Sequence, residues 1–193
     1  MLQGERYQDR PIYFSDVIVR RDSTVRSFAD LRGRSWSFND CGSHSGYNLT
    51  RYRLAVLGET GDYFGRVVRA GSHLHSIDFV RAGEVAASAI DCQVLGIALR
   101  ERAGAADELR VIDSLGPSSI QPVVAAARLP VGLKAEMTAA LLCMADDGPS
   151  KEALAYGLVR RFAPVTDSTY DDIRAMLATA EERLSGPSWG CAE

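Results

Sequence analysis

The stretch with the most chemical potential is Asn39-Asp-Cys-Gly-Ser-His-Ser-Gly-Tyr-Asn48, glycine and hydroxyl residues placed between an extended segment and an amphipathic one. A loop of this kind entering a helix leaves backbone N–H groups free at the positive end of the helix dipole, and Ser43 and Ser45 add hydroxyl donors. Such donors suit a small oxyanion, a phosphoryl or carboxylate group, without any lysine. The dipole contributes about 0.3–1 kcal/mol when exposed and up to about 2 kcal/mol when partly buried, so tight binding requires several donors converging in a closed cleft. The same residues also fit a simple N-cap, with Ser43 or Ser45 satisfying the first turn. Two other chemistries are excluded here. No Gly-Lys-Ser/Thr phosphate loop is present, and Gly42-Ser-His-Ser-Gly46 places His44 where a hydrolase nucleophile elbow needs serine.

Ala70-Gly-Ser-His-Leu-His-Ser76 forms a second polar cluster, again between a strand and a helix. His73 and His75 are two residues apart and pair poorly as metal ligands on one helix face. Ser72 or His73 can donate to an anion at the C-terminal edge of a sheet, where ligands gather in open α/β folds. Asp91 follows the apolar run Ala86–Ile90 and reaches the same edge, as a ligand acceptor or as a cap for the next helix. Cys92 beside it is a nucleophile only with a base at hand, and a buried thiol is the commoner state. Ser118-Ser-Ile-Gln-Pro122 adds hydroxyl and amide groups before another apolar run. The four cysteines are widely spaced, with no CxxC or Cys/His grouping, so neither a zinc site nor any cofactor is expected. They read as reduced thiols, with long-range disulfides as the alternative.

Strands at Pro11–Val19, Ser35–Phe38, Arg66–Ala70, Ala86–Ile90 and Leu109–Ile112 alternate with helices at Ser45–Leu57, Leu74–Ala82 and Val94–Ala103. That alternation argues for βαβ crossovers and a largely parallel sheet. Further on, Pro122–Ala127 reads as one more strand. Leu133, Met137, Leu141 and Met144 fall at helical spacing and predict a buried stripe. Helices follow at Lys151–Phe162 and Tyr170–Leu184, and the tail from Ser185 to Glu193 is expected to fray. With 193 residues, 46% hydrophobic and 24% charged, the chain is an ordinary globular protein of one domain or two small lobes. A net charge of −3 leaves no basic surplus for a nucleic-acid backbone. No apolar run approaches the roughly 20 residues of a membrane span. The start, Met1-Leu-Gln-Gly-Glu-Arg6, lacks the apolar core of a secretory signal. Either the chain is cytoplasmic or a preceding portion is missing.

The order of these motifs resembles the phosphate/phosphite/phosphonate solute receptors of ABC transporters, which have the type II periplasmic-binding-protein fold. Tyr13-Phe-Ser-Asp-Val-Ile-Val19, Ser27-Phe-Ala-Asp-Leu-Arg-Gly33, Gly42-Ser-His-Ser-Gly-Tyr47, Gly71-Ser-His73 and Ala89-Ile-Asp91 carry the similarity, which runs from Pro11 to Met176. The resemblance implies that Ser43, His44 and Ser45, with Gly46 and Tyr47 of the same turn, cradle the phosphoryl oxygens. It further implies that Ser72 and His73 add donors, that Tyr13 lines the cleft, and that Asp91 stands on the opposite wall. Receptors for amine-bearing phosphonates place an acidic residue where this chain has Gln121, so phosphate, phosphite or a simple alkylphosphonate is the expected ligand. His44 replaces the Thr or small residue that the family motif has between its two serines; its backbone N–H survives the change.

Family members begin with an export signal and the first βα units of lobe one, whereas this chain enters just before the first inter-lobe strand. The expected division is a complete α/β lobe over 22–115, joined by two connecting strands to a partial, helix-rich lobe from 1–21 and 116–193. A depleted lobe exposes a sheet edge and apolar helix faces, so a homodimer or a misassigned start is expected. The leading function is that of a solute-binding component, not an enzyme, whose closure over the anion is read by a transporter permease. By resemblance its place is the periplasm. Alternatives on the same fold are an enzyme using His73, Asp91 and Cys92 and a ligand-sensing regulatory domain. Direct DNA contact is not expected of either.

Overall fold

A computed structural model describes residues 1–184, 186 and 189–191. Runs rich in β-branched and aromatic residues form β1 (Ile12–Arg20), β2 (Ser35–Phe38), β3 (Arg66–Arg69), β4 (Ala87–Asp91) and β5 (Leu109–Ser119). They make one sheet in the order β3-β2-β4-β1-β5. β2 pairs in parallel with both β3 and β4, while β1 runs antiparallel to β4 and β5. β4 is buried along its whole length and β1 along nearly all of it, as central strands covered on both faces must be.

Helices α1 (Leu49–Val56), α2 (His73–Ala82), α3 (Cys92–Glu101) and the short α4 (Ala105–Glu108) fill the connections. Alternation along β1 feeds two cores. Val17 and Val19 join Phe28, Trp36, Leu49 and Leu54 on one face, whereas Ile18 joins Ile77, Val80 and Leu95 on the other. The Trp36 and Phe64 rings stack with centroids 4.6 Å apart, and the Tyr63 hydroxyl donates to the Phe28 carbonyl at 2.9 Å. The C-terminal third forms α5 (Val131–Cys143), α6 (Gly148–Tyr156) and α7 (Asp171–Arg183); Met176 of α7 and Leu184 beyond it pack against the first core.

Several expectations need correction. Pro122–Ala127 is not a strand: β5 runs on to Ser119 and fills the return position, leaving Val123 and Val124 62% and 80% exposed. The stripe on α5 is not buried. Leu133 and Met137 are 41% and 42% exposed, and no residue of that helix is buried, because it is apolar on most sides and no element of the sheet lies against it. The helix expected to reach Phe162 ends at Tyr156, followed by Gly157. β5 itself extends from Leu109 to Ser119, with a register irregularity against β1 between Leu115 and Ser118.

The tail expectation fails where the tail is described; Ser185, Pro187, Ser188, Ala192 and Glu193 lie outside the described residues. Trp189 packs against Phe38, Tyr47 and Phe64 at ring distances of 6.1, 5.6 and 5.7 Å, and its Nε1–H donates to the Gly61 carbonyl. Cys41 and Cys191 form a disulfide across 150 residues of sequence, so two of the four thiols are oxidised; Cys92 and Cys143 are free. Closing so long a loop restricts the unfolded chain. Cys191→Ser is expected to lower unfolding free energy by about 2–5 kcal/mol, read from denaturant midpoints without reductant. Unchanged midpoints would show that the tie contributes no stability.

Candidate functional site

Because β2, β3 and β4 are parallel, their C-terminal ends share one edge. The antiparallel β1 starts there and β5 ends there. Nearly every group singled out from the sequence therefore meets at this edge. After β2 the chain makes a π-helical turn, His44–Asn48, that continues into α1. Ser43 caps it: its Oγ accepts from the Gly46 N–H at 3.1 Å, and its carbonyl accepts from the N–H groups of Tyr47 and Asn48. Of the two roles the sequence offered for this segment, these bonds show the cap.

Ser45 is buried at the centre. Its carbonyl accepts from Ser15 Oγ at 2.8 Å, and its own Oγ lies 2.9 Å from His73 Nε2. That contact joins the loop after β2 to the loop after β3. Burial holds the His73 imidazole below its ordinary value of 6.5, against the opposing pull of Asp91, and its Nδ1 is buried without a partner. His44 Nε2 lies 3.0 Å from Ser118 Oγ at the end of β5. Burial lowers this imidazole too, and its Nδ1 is also unpartnered. Tyr13, buried on β1 with its ring 6.4 Å from His44, is pushed up by burial and stays a phenol, while a hydrogen bond with Ser45 pulls the other way.

A side chain at Gly46 would displace Asn39. A Cβ there would meet Asn39 Oδ1 at 1.8 Å and His73 Cε1 at 3.1 Å. Ser72 caps α2, its Oγ accepting from the His75 N–H at 3.1 Å. Asp91 caps α3, with Oδ1 accepting from the N–H groups of Gln93 and Val94 at 2.8 and 3.2 Å. Its Oδ2 accepts from Gln121 Nε2 at 2.8 Å, so the residue expected on the opposite wall touches the residue that stands where amine-binding receptors have an acid.

The edge groups do not surround one hollow. A cavity of about 570 Å³ is lined by Asp91, Gln121, Val94 and the apolar side chains of Ile120, Leu141 and Phe162. A second, of about 520 Å³, is lined by Asn39, Ser72, His73 and one face of α3. Val94 borders both, while Ser43, His44, Ser45 and Tyr13 line neither. Asn39, Ser118, Ser15 and Asp172 belong to the arrangement without having been named as site residues. Asn39 and Ser118 stood inside the polar stretches already noticed. Ser15 points inward from an apolar strand, and Asp172, whose Oδ2 accepts from the Ser119 N–H at 2.7 Å, carries no local signal.

Acid–base chemistry finds little support in this geometry. Ser45, His73 and Asp91 have the residue types of a hydrolytic triad, but His73 Nδ1 has no partner and Asp91 spends its oxygens on capping and Gln121. A base without an orienting group does not activate a hydroxyl efficiently. The Cys92 sulfur accepts from Tyr7 Oη–H and the Phe14 N–H, both at 3.4 Å, and burial pushes its thiol up. It is therefore a poor nucleophile.

The α/β sheet covered on both faces, with two antiparallel strands beside three parallel ones, is the type II periplasmic-binding-protein fold. The chain belongs to the family described as ABC transporter, phosphonate, periplasmic substrate-binding protein, whose model matches residues 1–170. It is similar in fold to a binding-protein component of an ABC phosphonate transporter from Pseudomonas aeruginosa, with a TM-score of 0.81 at 20% identity over 91% of this chain and 60% of that one. PhnD1 from Prochlorococcus marinus in complex with methylphosphonate gives 0.74 at 19% identity, over 89% and 68%. XAC2383 from Xanthomonas citri bound to ATP gives 0.66 at 18%, over 89% and 67%. The chain thus spans three-fifths to two-thirds of the length of these receptors. No curated protein matches it. No described helix is long and apolar enough to cross a membrane.

Two outcomes follow from the site geometry. Gly46→Ala forces Asn39 and the turn apart and is expected to destabilise by about 1–3 kcal/mol, measured by chemical denaturation; an unchanged midpoint would show that the contact relaxes freely. The two imidazoles are held below 6.5 in the native state, so the unfolded chain takes up protons first on acidification. Their stabilising contribution is complete above pH 6.5 and is lost as pH falls from there through the native values. Denaturation curves between pH 7.5 and 5 are expected to show falling stability, with a shallower slope in His44→Gln and His73→Gln.

Proposed function

We propose that the chain is the solute-binding part of an ABC-type uptake system and takes a small phosphorus oxyanion, phosphate, phosphite or an alkylphosphonate, at the sheet edge. The observation that carries this reading is the Ser45–His73 contact, which brings the two motif loops together at 2.9 Å. The turn of Ser43, His44, Ser45, Gly46 and Tyr47 forms the phosphoryl cradle, its shape held by the Gly46 and Tyr47 N–H groups that donate to Ser43, and Ser72, His73 and Tyr13 supply further donors. Asp91 and Gln121 bound the far side, where two capping N–H groups and the Gln121 amide already occupy three acceptor positions of the carboxylate, which favours ligands without an amine. The methylphosphonate complex of PhnD1, a protein of similar fold, supports the same ligand class.

In this reading residues 22–115 make the ligand-facing lobe, and 1–21 with 116–193 make the partial second lobe. Closure between them desolvates the anion and strengthens its hydrogen bonds, and a permease reads that closure. The exposed apolar side chains of α5 provide a surface for a homodimer. The Cys41–Cys191 disulfide fits the oxidising compartment in which periplasmic receptors of this family work.

Thermal denaturation with millimolar methylphosphonate, phosphate and phosphite tests the proposal. At least one is expected to raise the melting temperature, and Ser45→Ala combined with His73→Ala to abolish the rise. No shift with any of the three would overturn the receptor reading.

A further inference from the structure

The end of the chain reaches back to the anion turn from beyond the residues that the family model matches. Apart from the two cores on the faces of the sheet, Phe38, Tyr47 and Cys191 form a small cluster of their own, against which Cys41, Val67 and Trp189 pack. Phe38 ends the strand that leads into the turn, and Tyr47 belongs to the turn itself. The Tyr47 ring lies 5.1 Å from that of Phe38 and 5.6 Å from that of Trp189, so strand and tail grip it together. Its backbone N–H donates to the Ser43 carbonyl, which ties the placement of the ring to the shape of the turn. Cys41, two residues before Ser43, is bonded to Cys191. The Trp189 ring contacts and the hydrogen bond from its Nε1–H to the Gly61 carbonyl, at 2.8 Å, complete the attachment. Chain ends open at low free-energy cost unless tied down, and here the tie is covalent.

We propose that the Cys41–Cys191 disulfide is a thiol-controlled clasp on the anion turn: closed, it keeps the turn in its binding shape, and opened, it frees the tail and weakens solute binding. The step requires a dithiol as reductant. One thiolate of the dithiol attacks the sulfur of Cys41, the less buried of the pair, and the electron pair of the S–S bond leaves on Cys191. The second thiolate then displaces Cys41 from the mixed disulfide. Two electrons and two protons pass to the cysteines, and the dithiol ends as its own disulfide.

This inference deepens the oxyanion-receptor reading and rests on it for the solute, whereas the clasp itself is read without any ligand. Amide hydrogen exchange over residues 43–48 is followed by mass spectrometry on Cys143→Ser protein, which lacks the exposed free thiol, in oxidised, dithiothreitol-reduced and reoxidised samples. Methylphosphonate affinity is measured by titration calorimetry on the same samples. Reduction is expected to speed exchange in the turn about tenfold or more, while β4, central in the sheet, stays unchanged. It is expected to weaken methylphosphonate about fivefold or more, because the ligand must then order the turn. Reoxidation restores both, and Cys191→Ser behaves as the reduced form and ignores dithiothreitol. A disulfide that resists dithiothreitol in the folded protein would overturn the thiol control. A tie that serves overall stability alone would lower the denaturation midpoint and leave exchange and affinity unchanged in the folded protein, which overturns the inference. Faster exchange with equal affinity overturns the control of binding. If methylphosphonate binds neither form, the receptor reading fails, and the exchange rates alone decide the clasp.

Discussion

The site depends on one hydrogen bond between two neutral groups, Ser45 Oγ and His73 Nε2. Burial keeps the imidazole uncharged, so each ring nitrogen is either a donor or an acceptor and the choice has consequences. With hydrogen on Nε2, the ring donates to Ser45 Oγ and leaves the serine hydroxyl hydrogen free to turn toward an anion. With hydrogen on Nδ1, Ser45 must donate to the ring, and that hydrogen is lost to a ligand. A negative charge nearby favours protonating the ring, which would add a cation where the anion needs one.

The same economy governs the remaining electrostatics. Arg51 lies 5.1 Å over the Tyr47 ring at the outer side of the turn, and on the proposed reading oriented N–H and O–H dipoles supply the rest of the attraction. Asp91 is the one buried carboxylate at this edge besides the more distant Asp16, and unshielded it would repel an anion. Two backbone N–H groups of α3 and the amide of Gln121 surround it. Its charge is spent on the positive end of a helix and not projected along the edge. An acid at position 121 would put two carboxylates together and require a ligand cation between them; glutamine removes that requirement.

The α/β body was legible because its signals are local: alternation, glycine stops and capping residues place β1 to β4, α2 and α3 within two residues, while the helix expected from Ser45 begins as a π-helical turn and becomes α1 only at Leu49. The motif loops were legible for the same reason. What the sequence does not reveal is long-range. Four well-separated cysteines do not announce which two meet, and Pro122–Ala127 has strand-like composition but pairs with no strand among the described residues. The stripe on α5 has helical spacing, yet burial depends on whether another element arrives to cover it, and none does. Asp172 and Ser15 reach the site through packing of α7 and the inward face of β1, which no spacing rule records.

Position of the donors matters as much as their presence, because a turn that must be ordered on binding gives up part of the interaction. Here the anion turn is held from both sides. On its inner side, Gly46 lies against Asn39 and His73, and Ser45 is fixed by Ser15, Tyr13 and His73. On its outer side, Tyr47 packs into the rings of Phe38 and Trp189, and the disulfide fastens Cys41, two residues before Ser43, to the end of the chain. The tail thus supports the turn from a remote part of the sequence. A π-helical turn, which sacrifices regular hydrogen-bond geometry, persists here because those contacts over-determine it. Order imposed in the folded protein is order that the ligand does not have to impose.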